Sequence, residues 1–349
     1  MKKYKNKEAT MKLFFYFLCL ISFCGCQTSH FSKRAIIVDT DMGNDDWMAL
    51  LYLLNHPKAD LKGITVNGAG LSEIDPALQH AVKLQEIAGT IKKKSVPLAK
   101  GPALAWKQKN PYPTEWRKPT NEFYGMDREI HYPLNIQKES AAQFLVNLAK
   151  EFNNLEILAL GSLTNIADAI KLDTSFVNKV KRIVIMGGAI NVPGNVNFAG
   201  YPDNTFAEFN IFADPEAAEF VFKSGIKIYL IPLDSTNHVL IDKAMVERFK
   251  KKRQTPSLNA ILHIFQEIKN NLIDPGHFYA WDPLAAVALM ENDFYNWEFV
   301  KLSVNTKSSS HYGQTFKDQN GSKMFFLVPK TGFNLKQEWE SHYLKHISP

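Results

Sequence analysis

Cysteine is almost missing from this chain: Cys19, Cys24 and Cys26 are the only three in 349 residues. Everything beyond residue 26 therefore lacks a disulfide, a thiolate nucleophile and a thiolate metal ligand. Also missing is an uncharged apolar run of the roughly 20 residues that a membrane-crossing helix needs. There is no strong excess of one charge either. Of the formal net charge of +6, four units fall in residues 1–26, where Lys2, Lys3, Lys5, Lys7 and Lys12 outweigh Glu8. The near-neutral remainder carries no nucleic-acid footprint, and the short basic runs at 92–94 and 250–253 read as solvated helix ends or turns. Internal repeats, low-complexity tracts and Gly/Ser linkers are absent too, so one domain over 27–349 is expected.

What is present begins with residues 1–26, which read as an export signal. A basic stretch leads into "LFFYFLCLISFC", Leu13 to Cys24, a charge-free run of 12 residues. The following Phe23-Cys24-Gly25-Cys26 resembles a bacterial lipobox with Cys26 as the acylated residue, although that pattern prefers Leu where Phe23 stands. Translation from Met1 or from Met11 is compatible with this reading. The expectation is an exported protein, held at a bacterial membrane by its lipid alone.

From Ala35 on, short β-branched runs alternate with segments of helical period. This is the pattern of an open, mostly parallel α/β sheet flanked by helices. Strands are expected at "AIIVDT" from Ala35, "LKGITVNG" from Leu61, "SVPLAKG" from Ser95, "LEILALG" from Leu155, "KRIVIMGG" from Lys181 and "IKIYLIPLD" from Ile226. Such sheets bind ligands just beyond the carboxyl ends of their strands. Those ends are polar and glycine-rich here, the first of them holding Asp39, Asp41, Asp45 and Asp46 within eight residues.

Four close carboxylates repel one another unless a positive charge sits among them or they do separate jobs. Asp45 or Asp46 would suit a helix N-terminus, which leaves Asp39 and Asp41 unexplained. These two lie at alternate positions of a strand end, and Gly43 would let the chain turn so that strand and helix carboxylates face one point. With no Cys and no paired His nearby, an all-oxygen donor set selects a hard cation, and several carboxylates in a loop suit Ca²⁺ better than Mg²⁺.

The stretch "DTDMGNDDWMAL" resembles the N-terminal signature of the nucleoside hydrolases of the inosine-uridine type, Asp-Thr-Asp-Pro-Gly-x-Asp-Asp. In the same order follow "LGSLTNIA" from Leu160, "IMGGA" from Ile185, "AEFNIFADPEAA" from Ala207 and "WDPLAA" from Trp281. The resemblance implies an N-ribosyl hydrolase that needs Ca²⁺ and releases base and ribose from a nucleoside, and relatives are commonly dimers or tetramers. It implies that Asp41 is both metal ligand and general base, that Asp46 and Asp282 are further ligands, and that Thr164 adds its main-chain carbonyl. Asp39 becomes a supporting acid, and Asp45, Asn195, Met186, Glu208 and Asn210 line the ribose. Glu208 and Asn210, two apart on an extended segment, would point to one side. Local sequence alone reads both Asp214 and Asp282 as helix N-caps before a proline; the resemblance lifts Asp282 out of that role.

The chain also departs from the pattern. Trp281 stands where many relatives have a His that protonates the leaving base; an indole cannot, and a purine stacked on it is the favoured substrate. His277 and Tyr279 are the nearest candidate proton donors. Met42 replaces the motif proline, a change that a turn held by Gly43 should accommodate, and Ala69 stands where Asn is common, with Asn67 as a substitute. The aromatic stretch from Trp106 to Tyr124 is either a flap over the base or a loop packed on its own side chains. Two other readings stay open: a phosphatase of the haloacid dehalogenase type, which a strand ending in Asp39-x-Asp41 also resembles, and a non-catalytic Ca²⁺-dependent nucleoside-binding or sugar-binding lipoprotein.

Overall fold

The apolar runs become a nine-stranded sheet in the computed structural model, which describes residues 33–107, 112–307 and 309–349. The signal segment 1–26, with Cys26, lies outside the described residues. In chain order the first half supplies β1 (Arg34–Thr40), α1 (Asn44–Asn55), β2 (Ala59–Val66), α2 (Ile74–Ile87), β3 (Leu98–Lys100), α3 (Thr114–Asn121), α4 (Ala141–Glu151), β4 (Leu155–Ala159), α5 (Thr164–Leu172) and β5 (Val180–Met186). The second half adds α6 (Phe209–Ala213), α7 (Pro215–Phe222), β6 (Ile228–Ile231), α8 (Lys243–Lys250), α9 (Pro256–Glu267), α10 (Trp281–Met290), β7 (Tyr295–Val304), β8 (Thr315–Lys317), β9 (Ser322–Pro329) and α11 (Leu335–Ile347).

The strand order is β3-β2-β1-β4-β5-β6-β9-β7-β8, parallel from β3 to β9, with β7 running against both its neighbours. All six expected strands are there. The three C-terminal ones come from a region in which sequence reading placed no element. They form an antiparallel edge in which charged residues such as Glu298, Lys301 and Lys317 interrupt the apolar pattern.

Helices cover both faces. Ile36 and Val38 of β1 join a core with Trp47, Met48, Leu50 and Leu53 of α1 and the apolar side of α10. Ile37 joins the opposite core, with Phe144 and Leu145 of α4 and Ile166 of α5. Because side chains alternate along a strand, a parallel strand buried on both faces reads as one continuous apolar run. At roughly 2 kcal/mol for each large apolar side chain buried, α1 is firmly anchored behind its acidic first turn. The chain builds β2 and β3 on one side of β1 and then crosses to β4 on the other. That reversal opens a crevice beyond the carboxyl ends of β1 and β4, where Asp39–Asp41 and Gly161–Thr164 emerge.

Candidate functional site

The crevice is built around β1. Asp39 is wholly buried: its Oδ1 accepts from Thr65 Oγ1 at 2.6 Å and from Asn165 Nδ2 at 2.7 Å, while Oδ2 has no partner. Asp41, also buried, accepts from the main-chain N–H groups of Gly43 and Leu71, and its carbonyl accepts from Ser72 N at 3.1 Å. The loop carrying Gly70 presses against this carboxylate so closely that a Cβ on Gly70 would sit 1.9 Å from Asp41 Oδ2. Asn67 bonds Ser162, through Nδ2 to its carbonyl at 3.3 Å and through Oδ1 to its hydroxyl at 3.1 Å. It thus ties the β2 and β4 loops together beside Asp41, next to the fully buried Ala69.

The turn between β1 and α1 differs from its sequence reading. The bend falls on Met42, with φ 59, a left-handed conformation that a proline ring forbids. Met42 is therefore no conservative stand-in for the motif proline. Gly43 has an ordinary φ of −67 and is needed for room instead: a Cβ there would lie 2.8 Å from Leu71 Cδ1 and 3.0 Å from Asp45 Oδ1 and Asp46 Oδ2. Asp46, in the first turn of α1, accepts from Gly43 N at 2.9 Å and from the Thr40 hydroxyl.

From the far side of the sequence, α10 brings Asp282. Carboxylate oxygens of Asp45, Asp46 and Asp282 all lie within 4.8 Å of one another, and Asp46 also reaches Asp41. The helix begins at Trp281 with Ala280 as its cap, so Asp282 does not cap as its local sequence suggests; its Oδ1 is buried with no partner. Asp214, with the same Asp-Pro sequence, does cap α7, accepting from Ala217 N at 3.2 Å, and it also accepts from Thr164 Oγ1 at 2.7 Å. The Thr164 hydroxyl also lies 3.0 Å from Ser162 Oγ.

Glu208 and Asn210 do not lie on an extended segment but at the start of a short helix. Glu208 caps α6, Oε1 accepting from Asn210 N at 2.9 Å and Oε2 from Gly188 N at 2.9 Å and Ile211 N at 3.2 Å. Asn210 lies within that helix and donates to the carbonyls of Leu160 at 3.0 Å and Met186 at 3.2 Å. Asn195 accepts from Phe209 N at 3.1 Å, holding the intervening loop against α6. Trp281 is half-buried, its ring edge-on to Phe278 at 5.4 Å and tilted to Tyr279 at 5.9 Å. His277 is exposed and its ring lies 5.9 Å from that of Phe198.

Sequence reasoning left Tyr112 unassigned within the aromatic stretch. Its ring stacks on Phe209 at 4.6 Å and its hydroxyl donates to Asn210 Oδ1 at 3.3 Å. Phe123 is fully buried between Trp47 and His80. The described part of this stretch is thus neither a free flap nor a loop packed only on itself: it roofs the site and is pinned at both ends.

Packing so many acids together out of water works against their ionisation. Burial, and then the neighbouring carboxylates, push Asp39 up to about 7, Asp45 to about 7 and Glu208 to about 7. Asp41 rises to about 6, mainly through burial, and Asp46 and Asp282 stand well above the usual carboxylate range for the same two reasons. A cation among them reverses the penalty. The unpartnered Oδ1 of Asp282 and the all-oxygen donor set fit a hard metal ion.

In this open α/β fold, the acidic, metal-fitting crevice at the topological switch lies where such folds bind small ligands. The class of protein follows from comparison with known proteins. A sequence model of the inosine-uridine preferring nucleoside hydrolases matches residues 36–341. The chain is 35% identical over 303 residues to uridine nucleosidase 1 of Arabidopsis thaliana, covering 86% of each chain. It is 28% identical over 317 residues to a pyrimidine-specific ribonucleoside hydrolase of Escherichia coli, covering 88% of this chain and 94% of the other. Among solved structures, an inosine-uridine preferring nucleoside hydrolase from Bacillus anthracis superposes with a TM-score of 0.74 at 23% identity, over 90% of this chain and 99% of that one. A purine-preferring ribonucleoside hydrolase from Gardnerella vaginalis gives 0.73 at 23% identity, over 90% and 98%; these two likenesses speak to the fold.

The chain belongs to the inosine-uridine preferring nucleoside hydrolase family. It is an N-glycosyl hydrolase acting on nucleosides, and the phosphatase alternative falls away.

Proposed function

We propose that the protein is a Ca²⁺-dependent ribonucleoside hydrolase that frees base and ribose outside the cytoplasm, anchored through Cys26. The observation that carries the metal part is the convergence of Asp45, Asp46 and Asp282, with Asp46 bonded on to Asp41 and one Asp282 oxygen orphaned. Asp41, Asp46 and Asp282, with the Thr164 carbonyl, are the residues to hold the ion. When bound, Ca²⁺ supplies a Lewis acid for water and for the ribose diol.

The remaining chemistry belongs to the chain. Cleavage of an N-glycosidic bond passes through an oxocarbenium-like sugar, so the site must place water on one face and negative charge near C1′. Asp41 takes the proton of the attacking water as general base. Glu208, Asn210, Asn195 and Met186 hold the ribose, with Asp39 behind Asp41 keeping Asn165 and Thr65 in place. The roof over the crevice, closed by Tyr112, keeps bulk water from the reacting centre.

Two features bear on the base and point in opposite directions. Trp281 offers a broad flat surface that suits a purine, whereas the Arabidopsis and Escherichia coli relatives are named for uridine and pyrimidine substrates. Our reading keeps the purine preference as the one this chain's own residues support. The test is release of base and ribose from inosine, adenosine, uridine and cytidine, with and without EDTA and in Asp41→Ala. Loss of turnover both on chelation and in the variant supports the metal hydrolase, and a faster rate on uridine than on inosine overturns the purine preference. For the anchor, Cys26→Ser should move the protein from the membrane fraction to the soluble one; unchanged fractionation contradicts lipidation there.

A further inference from the structure

The site as described holds the ribose and the water and gives the base a ring to stack on, with half-buried Tyr279 and its hydroxyl beside Trp281, but it brings no positive charge to the base as it leaves. Trp281 cannot donate a proton and His277 is exposed. One positive group, on α3, lies near enough to the site to act on Asp41. On α3, Thr114, Glu115 and Lys118 are exposed, whereas Thr120 is buried and Trp116 packs on Phe209 at 5.7 Å. The side that faces inward therefore includes Arg117. One turn further on, Asn121 Oδ1 accepts from Glu73 N at 2.9 Å and Ser72 Oγ at 3.2 Å, and Ser72 N donates to the carbonyl of Asp41. Residues four apart share a helix face, so Arg117 projects over the loop that backs Asp41. Its Nε is buried and makes no hydrogen bond, and its charge bears on Asp41 without an ion pair forming.

We propose that Arg117 is the group that meets the leaving base, its guanidinium supplying the positive charge and N–H donors that the missing histidine would otherwise provide. The proposal rests on the hydrolase reading above. A guanidinium does not titrate at neutral pH, so it assists without giving up a proton. As the C1′–N bond breaks, its electron pair passes to the base nitrogen while the water oxygen bonds to C1′ and the water proton passes to Asp41. The base leaves as an anion hydrogen-bonded to Arg117 and takes its proton from solvent afterwards.

The test compares substrates that differ only in how much help their leaving group needs. The full-length protein, its R117Q and its R117K variants are assayed with Ca²⁺ on inosine, uridine and p-nitrophenyl β-D-ribofuranoside, whose leaving group departs unaided. Removing a donor aimed at developing charge costs about 100-fold in kcat, so R117Q should lose about that on the nucleosides and under about threefold on the nitrophenyl riboside. R117K, which keeps the charge without the fork, should fall between. The ratio of the two rates on one preparation is independent of the fraction folded. An equal loss on both substrate types, or no loss on either, overturns the assignment. If the unaltered protein cleaves none of the three substrates, the hydrolase reading itself fails, whatever the variants do.

Discussion

A single buried oxygen says more about this site than the aspartate count does. Asp282 Oδ1 has no partner, yet a buried carboxylate oxygen left unpaired is costly. A bound cation removes that cost, and Asp282→Asn should weaken Ca²⁺ binding about 100-fold, read by calorimetric titration; unchanged affinity would take Asp282 out of the metal site. The raised acids also set a pH signature. For Asp39, Asp45 and Glu208 the folded pKa, about 7, lies above the unfolded one. Their stabilising contribution is thus fully present below about pH 4 and is lost as pH rises through 7. The chelated protein should therefore show a falling Tm from pH 5 to 8, and Ca²⁺ should flatten the curve; parallel curves with and without Ca²⁺ contradict it. At this scale the sequence was partly legible. The octamer at Asp39–Asp46 displayed its acids together, but Asp214 and Asp282 share one local pattern, Asp-Pro, so local sequence does not tell them apart. The resemblance separates them, and tertiary placement shows that Asp214 caps its helix and Asp282 does not. Arg117 gave no signal, because one arginine in a polar helix looks like any solvated charge.

Among the elements, the approach of the Gly70 loop to Asp41 and the roof of α3 control the site. A methyl group at Gly70 would overlap Asp41 Oδ2 at 1.9 Å, so Gly70→Ala must shift either the loop or the base. We expect a loss of kcat of about 100-fold with KM changed little, since the attack geometry suffers before the ribose contacts do. Kinetics on the folded variant check this, and an unaltered kcat would show that the loop yields freely. Tyr112→Phe removes the bond to Asn210 Oδ1 but keeps the stack on Phe209. It should raise KM a few-fold, of the order of one neutral hydrogen bond, and leave the protein folded; an unchanged KM would mean that the latch contributes nothing to binding. The helices and the parallel strands were legible because each has one strong period and a polar end. The roof was not: its aromatics split their loyalties, Phe123 entering the core while Tyr112 turns to the site. Nor did the sequence reveal that Glu208 caps a short helix, since a five-residue helix carries too few turns for a period to show.

Across the whole molecule, the end of the sheet opposite the site is held by charge. Glu156 of β4 accepts from Arg34 Nε of β1 at 2.9 Å and from Arg182 Nε of β5 at 2.6 Å. Burial alone would raise its pKa, but the two guanidiniums pull it down to about 2. Its folded pKa is depressed, so its contribution is present above about 4.5 and is lost as pH falls toward 2. Glu156→Gln leaves two arginines without their partner and should cost about 3 kcal/mol of stability at pH 7 by urea unfolding, with the difference shrinking as the pH falls below 4. A loss that stays constant down to pH 3 would contradict the ionic account. The antiparallel strands escaped sequence reading for different reasons. The outermost, β8, is three residues long, and β7 is interrupted by Asn296, Glu298 and Lys301. By contrast, β9 does carry an apolar run from Met324 to Val328 that sequence reading passed over.

The central claim is that a cation and Asp41 act together to hydrolyse a nucleoside. It is tested most directly by measuring free ribose from inosine and uridine with the metal-stripped protein as Ca²⁺ is added back, in parallel with Asp41→Ala. The account predicts no turnover without metal, recovery that saturates with Ca²⁺, and no recovery in the variant at any Ca²⁺ concentration. Full turnover by the stripped protein, or restoration of Asp41→Ala by Ca²⁺, would contradict it.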